Sequence, residues 1–445
     1  MATRVDGAAA SILHLAQSVA ELREEHRALV DCLAAAGVLS TEAVPARLHR
    51  RRFAAVRRAH PCEWGASLPD VLVSAHLALP AARFAGLLAL HALRAASRVL
   101  SLSINGAAAR LHDMLAQLYA CGGTDHQQAR SSAERFDPMA GSWEELPAMS
   151  QRRFAAAAAV VGGRLYVCGG SERQTALSSA ERFDPILGAW EGLRDMLQKR
   201  FGATAAVASG HLYICGGDGG QFPLRSAERF LPEVGAWEAL PFMLQRRLGA
   251  ATAVVGGRVH VCGGSENLLA LSSAECLDFT TWRWEALAPM SQRRFAAAAA
   301  VISGFLYVCG GNDGQQVLNS VEHLDPGTKQ WVTLPPMTRR RTGAAVAIIA
   351  GSLYVCGGSD KTQVRSSAER FNPQVGEWEA LPRMSQRRSG AASAVISGCL
   401  YVCGGNDGQQ VLNSTELFDP ASGTWRVLPP MSRRRAGAFA AVIFR

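Results

Sequence analysis

Paired basic residues recur along this chain at one interval: Arg152-Arg153, Lys199-Arg200, Arg246-Arg247, Arg293-Arg294, Arg340-Arg341, Arg387-Arg388 and Arg434-Arg435. The step is 47 residues, and Arg339 and Arg433 extend two of the pairs to triplets. A guanidinium binds a carboxylate through two parallel hydrogen bonds, so arginines gathered on one surface would recognise acidic segments. Other reactive side chains keep the same step. Cys121, Cys168, Cys215, Cys262, Cys309, Cys356 and Cys403 form one set, and Ser132, Ser179, Ser226, Ser273, Ser320, Ser367 and Ser414 another. Tyr119, Tyr166, Tyr213, Tyr307, Tyr354 and Tyr401 occupy one equivalent place, with His260 in the seventh. A group present once per repeat is a poor catalyst, because a catalytic site needs asymmetry. His126, His211, His260 and His323 fall in different repeats and at different positions within them, which gives no metal constellation. Neither a nucleophile elbow nor a phosphate-binding loop occurs. The chain is therefore expected to be no enzyme and to need no cofactor or metal.

The elements that position these groups are written in the same period. Gly-Gly pairs begin at Gly122, Gly169, Gly216, Gly263, Gly310, Gly357 and Gly404, and Trp143, Trp190, Trp237, Trp284, Trp331, Trp378 and Trp425 keep step. So do Glu134, Glu181, Glu228, Glu275, Glu322, Glu369 and Glu416. A drift-free period of this length means copies of one supersecondary unit, stacked or set around an axis. Within residues 294–340, four apolar runs stand at 295–302, 305–309, 320–324 and 331–334, each of strand length. Ser303-Gly304 makes the first turn, Gly310-Gly311 ends the second run, and Asp325-Pro326-Gly327 makes the third turn. The first run is alanine-rich, as in residues 155–161, and alanine favours helix. Its shortness and its place in a four-run unit override that preference, and small side chains suit an innermost strand.

Four-stranded units repeated radially make a β-propeller. The apolar strand ending in Gly-Gly, then Asn319-Ser320-Val321-Glu322, Asp325-Pro326, Trp331 and a Pro-Met pair closely resemble the kelch repeat. The resemblance covers residues 117–445; Leu231-Pro232, Asp278-Phe279 and Asn372-Pro373 vary the Asp-Pro turn. The expected fold is all-β: a kelch-type propeller of four-stranded blades with an α-helical N-terminal extension. Copy number gives seven blades, with six as the alternative. The first Gly-Gly pair follows a second-strand sequence, 118–121, that has no inner strand before it, whereas residues 435–443 form a spare inner strand at the other end. That strand is expected to complete the first blade and close the ring. Each tryptophan is expected between neighbouring sheets, where full burial removes about 150–250 Å² from water, at most about 4–6 kcal/mol.

The kelch resemblance implies that an arginine before each inner strand faces the channel mouth. In kelch adaptors that rim, with the loops after Gly-Gly, holds acidic peptide segments. The candidate partner-binding residues are thus Arg153, Arg200, Arg247, Arg294, Arg341, Arg388 and Arg435, with Asn312 and Asn406 opening two of the loops. The alternative is that each of these arginines pairs with the repeated glutamate of its own blade, leaving only the basic residue before it free. A solvated ring of charges is tolerable, since two unit charges about 10 Å apart in water repel by roughly 0.4 kcal/mol. The net charge of +9, from 46 basic and 37 acidic residues, fits an acidic partner. Residues 312–320 and 406–414 are both NDGQQVLNS, which limits the asymmetry available for specificity.

Eleven cysteines, an odd number without metal-ligand spacing, fit a reducing compartment. Asp6 interrupts the start and no cleavage site follows, so no signal peptide is expected. The most apolar stretch, 71–93, contains His76, Arg83 and His91, against a membrane span. A cytoplasmic protein is expected, with the nucleus as alternative.

Residues 1–116 lack the repeat. Ile12, Leu15, Val19, Leu22, His26, Leu29 and Leu33 form an apolar seam at heptad spacing within 11–36, for self-association or for packing on its own chain. The basic cluster at 47–58 reads as a solvated helix face rather than a nucleic-acid contact. Residues 68–100, opening Leu68-Pro69 and continuing with Leu77, Leu79, Leu87 and Leu88, resemble an F-box, the module that docks ubiquitin-ligase adaptors; its later Cys-Arg-x-Trp signature is absent. The segment is too short for a BTB domain followed by a BACK domain. Two functions follow as expectations: a substrate-recognition adaptor that meets a cullin-type ligase component, or a cytoskeletal, actin-linked scaffold.

Overall fold

The computed structural model describes residues 116–444, and every regular element among them is a strand. The seam at 11–36, the basic cluster, the F-box-like stretch and the helical extension lie outside the described residues. In the fifth blade Ala298–Ile302, Phe305–Cys309, Val321–Asp325 and Gln330–Leu334 run antiparallel from inside to outside. Ser303 and Gly304 both have positive φ, 50° and 85°, the geometry that a two-residue hairpin needs. The third turn is folded by Asp325, whose Oδ1 accepts the Gly327 N–H at 2.8 Å. The alanine-rich run is strand only over its second half; residues 295–297 belong to the loop before it.

Seven such sheets form the ring, and each inner strand lies beside the inner strands of both neighbours. The first blade is assembled from both ends of the propeller. Its inner strand, Phe439–Phe444, pairs with Ala116–Cys121 in the register Leu118 opposite Val442 and Cys121 opposite Phe439. The expected seven blades and the expected closure are both present. Hydrophobic cores sit between blades rather than within them. One joins Ile302, Tyr307, Cys309 and Met337 of the fifth blade to Leu353, Val355 and Phe371 of the sixth. The cysteines before Gly-Gly are buried in these interfaces, one per blade and all unpaired.

The tryptophans work differently from expectation. Only Trp237 and Trp284 are buried, and the other five are half-buried on outer strands. Each indole N–H donates to a backbone carbonyl of the loop leaving the preceding blade, for example Trp284 to Pro241 at 2.9 Å and Trp143 to Pro429 at 3.0 Å. They pin loops between blades, so the full-burial figure overstates most of them.

Candidate interaction face

In each blade the inner and second strands form a hairpin. The loop entering the first and the loop leaving the second therefore emerge on one face. That face carries both the repeated basic residues and the variable loops after Gly-Gly.

The structure buries the second basic residue of every pair. Arg153, Arg200, Arg247, Arg294, Arg341, Arg388 and Arg435 are each 1% exposed. In the fifth blade Arg294 gives Nη1 to the carbonyls of Gly310 and Ser320, both at 2.9 Å. Its Nη2 reaches the Ser320 hydroxyl and Glu322, and Nε reaches the same carboxylate. All five donors of the guanidinium are thus satisfied. The other carboxylate oxygen, Glu322 Oε2, accepts the Ser291 N–H at 2.6 Å. The cluster clamps the incoming loop onto its blade. This corrects the expectation that these seven arginines hold a partner: the pairing with the repeated glutamate consumes them, and a ligand would have to break a buried, fully bonded ion pair to reach one.

The glycines belong to the same device. Gly170 N donates to Arg200 O at 2.7 Å, joining one blade to the loop of the next. A Cβ on Gly169 would stand 2.3 Å from that carbonyl, at a φ of +63°. Only glycine permits the approach.

The first basic residue of each pair remains in solvent. Arg152, Lys199, Arg246, Arg293, Arg340, Arg387 and Arg434 are all exposed, one per blade. Arg340 Nη1 donates to Gln316 Oε1 and Arg434 Nη1 to Gln410 Oε1, both at 2.6 Å; Arg152 meets Gln128 in the same way. A glutamine orients the guanidinium without neutralising it. Two carboxylates on this face are spent in local ion pairs, whereas Asp218, Asp313 and Asp407 accept backbone N–H groups of their own loops. Asp125 pairs with Arg130 and Asp360 with Arg365. Asp360 is held well below the usual carboxylate range, chiefly by the Thr362 hydroxyl. Asn312 and Asn406 lie on the same face, half-buried. Their Oδ1 atoms accept the N–H of Gly314 and Gly408 and so fold their own loops, and Asn406 Nδ2 also meets His126 Nε2.

Around the channel mouth runs a belt of backbone hydrogen bonds. Gly202 N donates to Ala155 O, Gly249 N to Gly202 O, Ala296 N to Gly249 O, Gly390 N to Gly343 O and Gly437 N to Gly390 O. All seven residues have φ between +50° and +62°.

Family comparison places this geometry. A model described as the Kelch motif matches residues 117–150, 152–197, 199–243 and 246–291, and the KLHDC2/KLHL20/DRC7 Kelch-repeats domain matches residues 289–443. The chain belongs to the kelch-repeat family. No curated protein matches it. Among solved structures, one described as the structure of YjhT superposes with a TM-score of 0.53 at 17% identity, covering 64% of this chain and 99% of that one. At that identity the likeness shows the fold alone. Kelch propellers are protein-interaction folds, and in this ring the exposed cations share a face with the loops after Gly-Gly, which differ between most blades.

Proposed function

We propose that the chain is a non-enzymatic interaction module whose basic face captures an acidic segment of a partner protein, as the substrate-recognition adaptor of a ubiquitin ligase. The observation that carries the binding part is the ring of seven exposed cations, Arg152, Lys199, Arg246, Arg293, Arg340, Arg387 and Arg434, on one face of a closed scaffold. Their field would steer an anionic segment toward the mouth, and the interaction would weaken as salt rises. The ligase part rests on the F-box-like stretch at 68–100, with a cullin-type component as second partner. The buried, unpaired thiols of the propeller fit the reducing interior of the cell, in the cytoplasm or nucleus.

The test is affinity purification of the full chain with mass spectrometry, beside a variant carrying Arg152→Glu, Arg293→Glu, Arg340→Glu and Arg434→Glu. An acidic partner lost from the variant, with a cullin-adaptor component retained, is the expected result. Partners unchanged by charge reversal would remove the rim from the proposal. A second reading, an actin-linked scaffold, is favoured by the identical loops 312–320 and 406–414, since duplicated contacts suit a repetitive filament. Cosedimentation with filaments in the absence of any ligase component would select it.

A further inference from the structure

The seven blades are close copies, so positions where one arc of the ring abandons the repeat stand out. At the place of Phe222 the other blades carry Gln128, Thr175, Leu269, Gln316, Gln363 and Gln410. At the place of Leu244 they carry Ser150, Leu197, Ser291, Thr338, Ser385 and Ser432. Polar residues thus hold most of the ring, and large apolar ones replace them only near the third and fourth blades. The replacements gain nothing by burial: Leu197 is 58% exposed, Phe222 60%, Leu244 55% and Leu269 64%. Phe242, on the same loop as Leu244, is 59% exposed under the Arg225 guanidinium, 4.8 Å from its ring centre.

Contacts join the loops of Phe222, Phe242 and Leu269. Arg246 Nη1 donates to Pro223 O at 3.0 Å, and its Nε lies 3.9 Å from Glu266 Oε1. One exposed cation therefore sits between the loop of Phe222 and the small hairpin in which Glu266 faces Leu269. Lys199 and Arg293 flank the arc on the adjoining loops, both exposed. The inner edge continues apolar: at the mouth the Phe295 ring, 36% exposed, lies against Gly249 of the loop entering the fourth blade, whereas the sixth, seventh and first blades have Thr342, Ser389 and Ala436 in its place.

We infer that the arc around the third and fourth blades is an anchor site for one large apolar side chain of a partner segment whose adjacent residues are acidic. This deepens the proposed function and rests on it. The occupant follows from charge complementarity: an apolar patch set among Lys199, Arg225, Arg246 and Arg293 suits an aromatic or branched aliphatic residue flanked by carboxylates. The cation ring acts on any acidic stretch, whereas the arc selects among such stretches and fixes their position on an otherwise near-symmetric ring.

The probes are two fluorescein-labelled peptides of about ten Glu and Asp residues, one with a central Phe and one with Ser there, followed by anisotropy on the full chain. The Phe peptide should bind at least about tenfold more tightly. The double variant F222Q/L269Q, which installs the glutamine that four other blades carry at this place, should reduce that preference to about threefold or less without weakening the Ser peptide. Charge reversal at Lys199 and Arg293 should weaken both peptides. Equal binding of the two peptides, still sensitive to charge reversal, would sink the anchor and leave the basic rim standing. Failure of both to bind would remove rim and anchor together. If F222Q/L269Q changes the sedimentation mass of the chain but not the peptide preference, the arc is a contact between copies, and the inference is wrong.

Discussion

Arg435 lies 301 residues from Glu134 in the chain and 2.7 Å from it in the fold. The pair is the same clamp that the other six blades build within one repeat, here made across the closure. Arg435 also gives Nη1 to the carbonyls of Gly122 and Ser132, while Glu134 accepts the Ser432 N–H. The last loop of the propeller is thereby tied to the first blade by side chains as well as by the strand ladder.

Removing the cation leaves a buried carboxylate without its charge partner. Arg435→Met should destabilise the propeller by about 3–5 kcal/mol, read as a lower denaturant midpoint. Arg294→Met, at the same place in the fifth blade, should cost a similar amount. A wild-type midpoint for Arg435→Met would mean that the closing strand holds the ring alone.

Two members of the belt at the mouth are alanines in left-handed geometry, Ala155 and Ala296, both at φ +50°. Glycine holds the place in the other five blades. The left-handed conformation costs an L-residue about 1–2 kcal/mol, and the extra freedom of glycine in the unfolded chain returns about half of that. Ala155→Gly and Ala296→Gly should each raise the melting temperature slightly. A fall would show that contacts of the methyl groups outweigh the backbone strain.

Acid should loosen the outer turns. The carboxyl of Asp325 is held below its ordinary value by the Gly327 N–H, that of Asp419 by the Ala421 N–H, and that of Asp278 by the Thr280 N–H. Asp184 is lowered chiefly by Arg164. A depressed folded-state value means that the native chain binds fewer protons than the unfolded chain. The stabilisation is therefore present above the ordinary carboxylate range, about pH 4, and is lost as pH falls through the folded-state values. Asp325→Asn should flatten part of this slope while keeping the turn, because Asn372 already does the same work in the sixth blade by accepting the Gln374 N–H at 3.0 Å. Denaturant midpoints at pH 6 and pH 3 would check it; an unchanged slope would exclude Asp325 as a contributor.

Burial pushes the thiols of Cys121, Cys168, Cys215, Cys262, Cys309, Cys356 and Cys403 up to about 12. They should resist iodoacetamide in the native protein at neutral pH, and peptide mapping should find Cys399, which is only half-buried, modified before any of them. Early labelling of one of the seven would mark a blade that opens locally.

The ring was legible because its period never drifts. Glycine, tryptophan and glutamate sit at fixed places for reasons of close approach, loop pinning and ion pairing, and those reasons are the same in every blade. The exposure of the arginines was harder to read. A surface ring and a buried clamp produce the same count of one arginine per repeat. The distinguishing signal was that the second position never varies, while the first accepts Lys199 and so tolerates a point charge without fork geometry. The apolar arc was also present in the sequence, at positions 222, 244 and 269, but it shows only when equivalent places are compared across blades. Burial was needed to tell an exposed patch from core.

The first blade takes its inner strand, Phe439–Phe444, from the far end of the propeller. During synthesis the ring must therefore wait. Until Phe444 has left the ribosome, the Ala116–Cys121 strand has one edge unpaired. Six blades can form as they emerge, each from local contacts, but the two interfaces that hold the closing strand, one on either side of the first blade, carry the largest loop-closure entropy and cannot be completed beforehand. The exposed edge is a template for any matching strand, and the closing strand of a second, simultaneously synthesised copy is the best match available. Slow elongation or crowded polysomes should therefore favour strand-exchanged dimers over closed monomers.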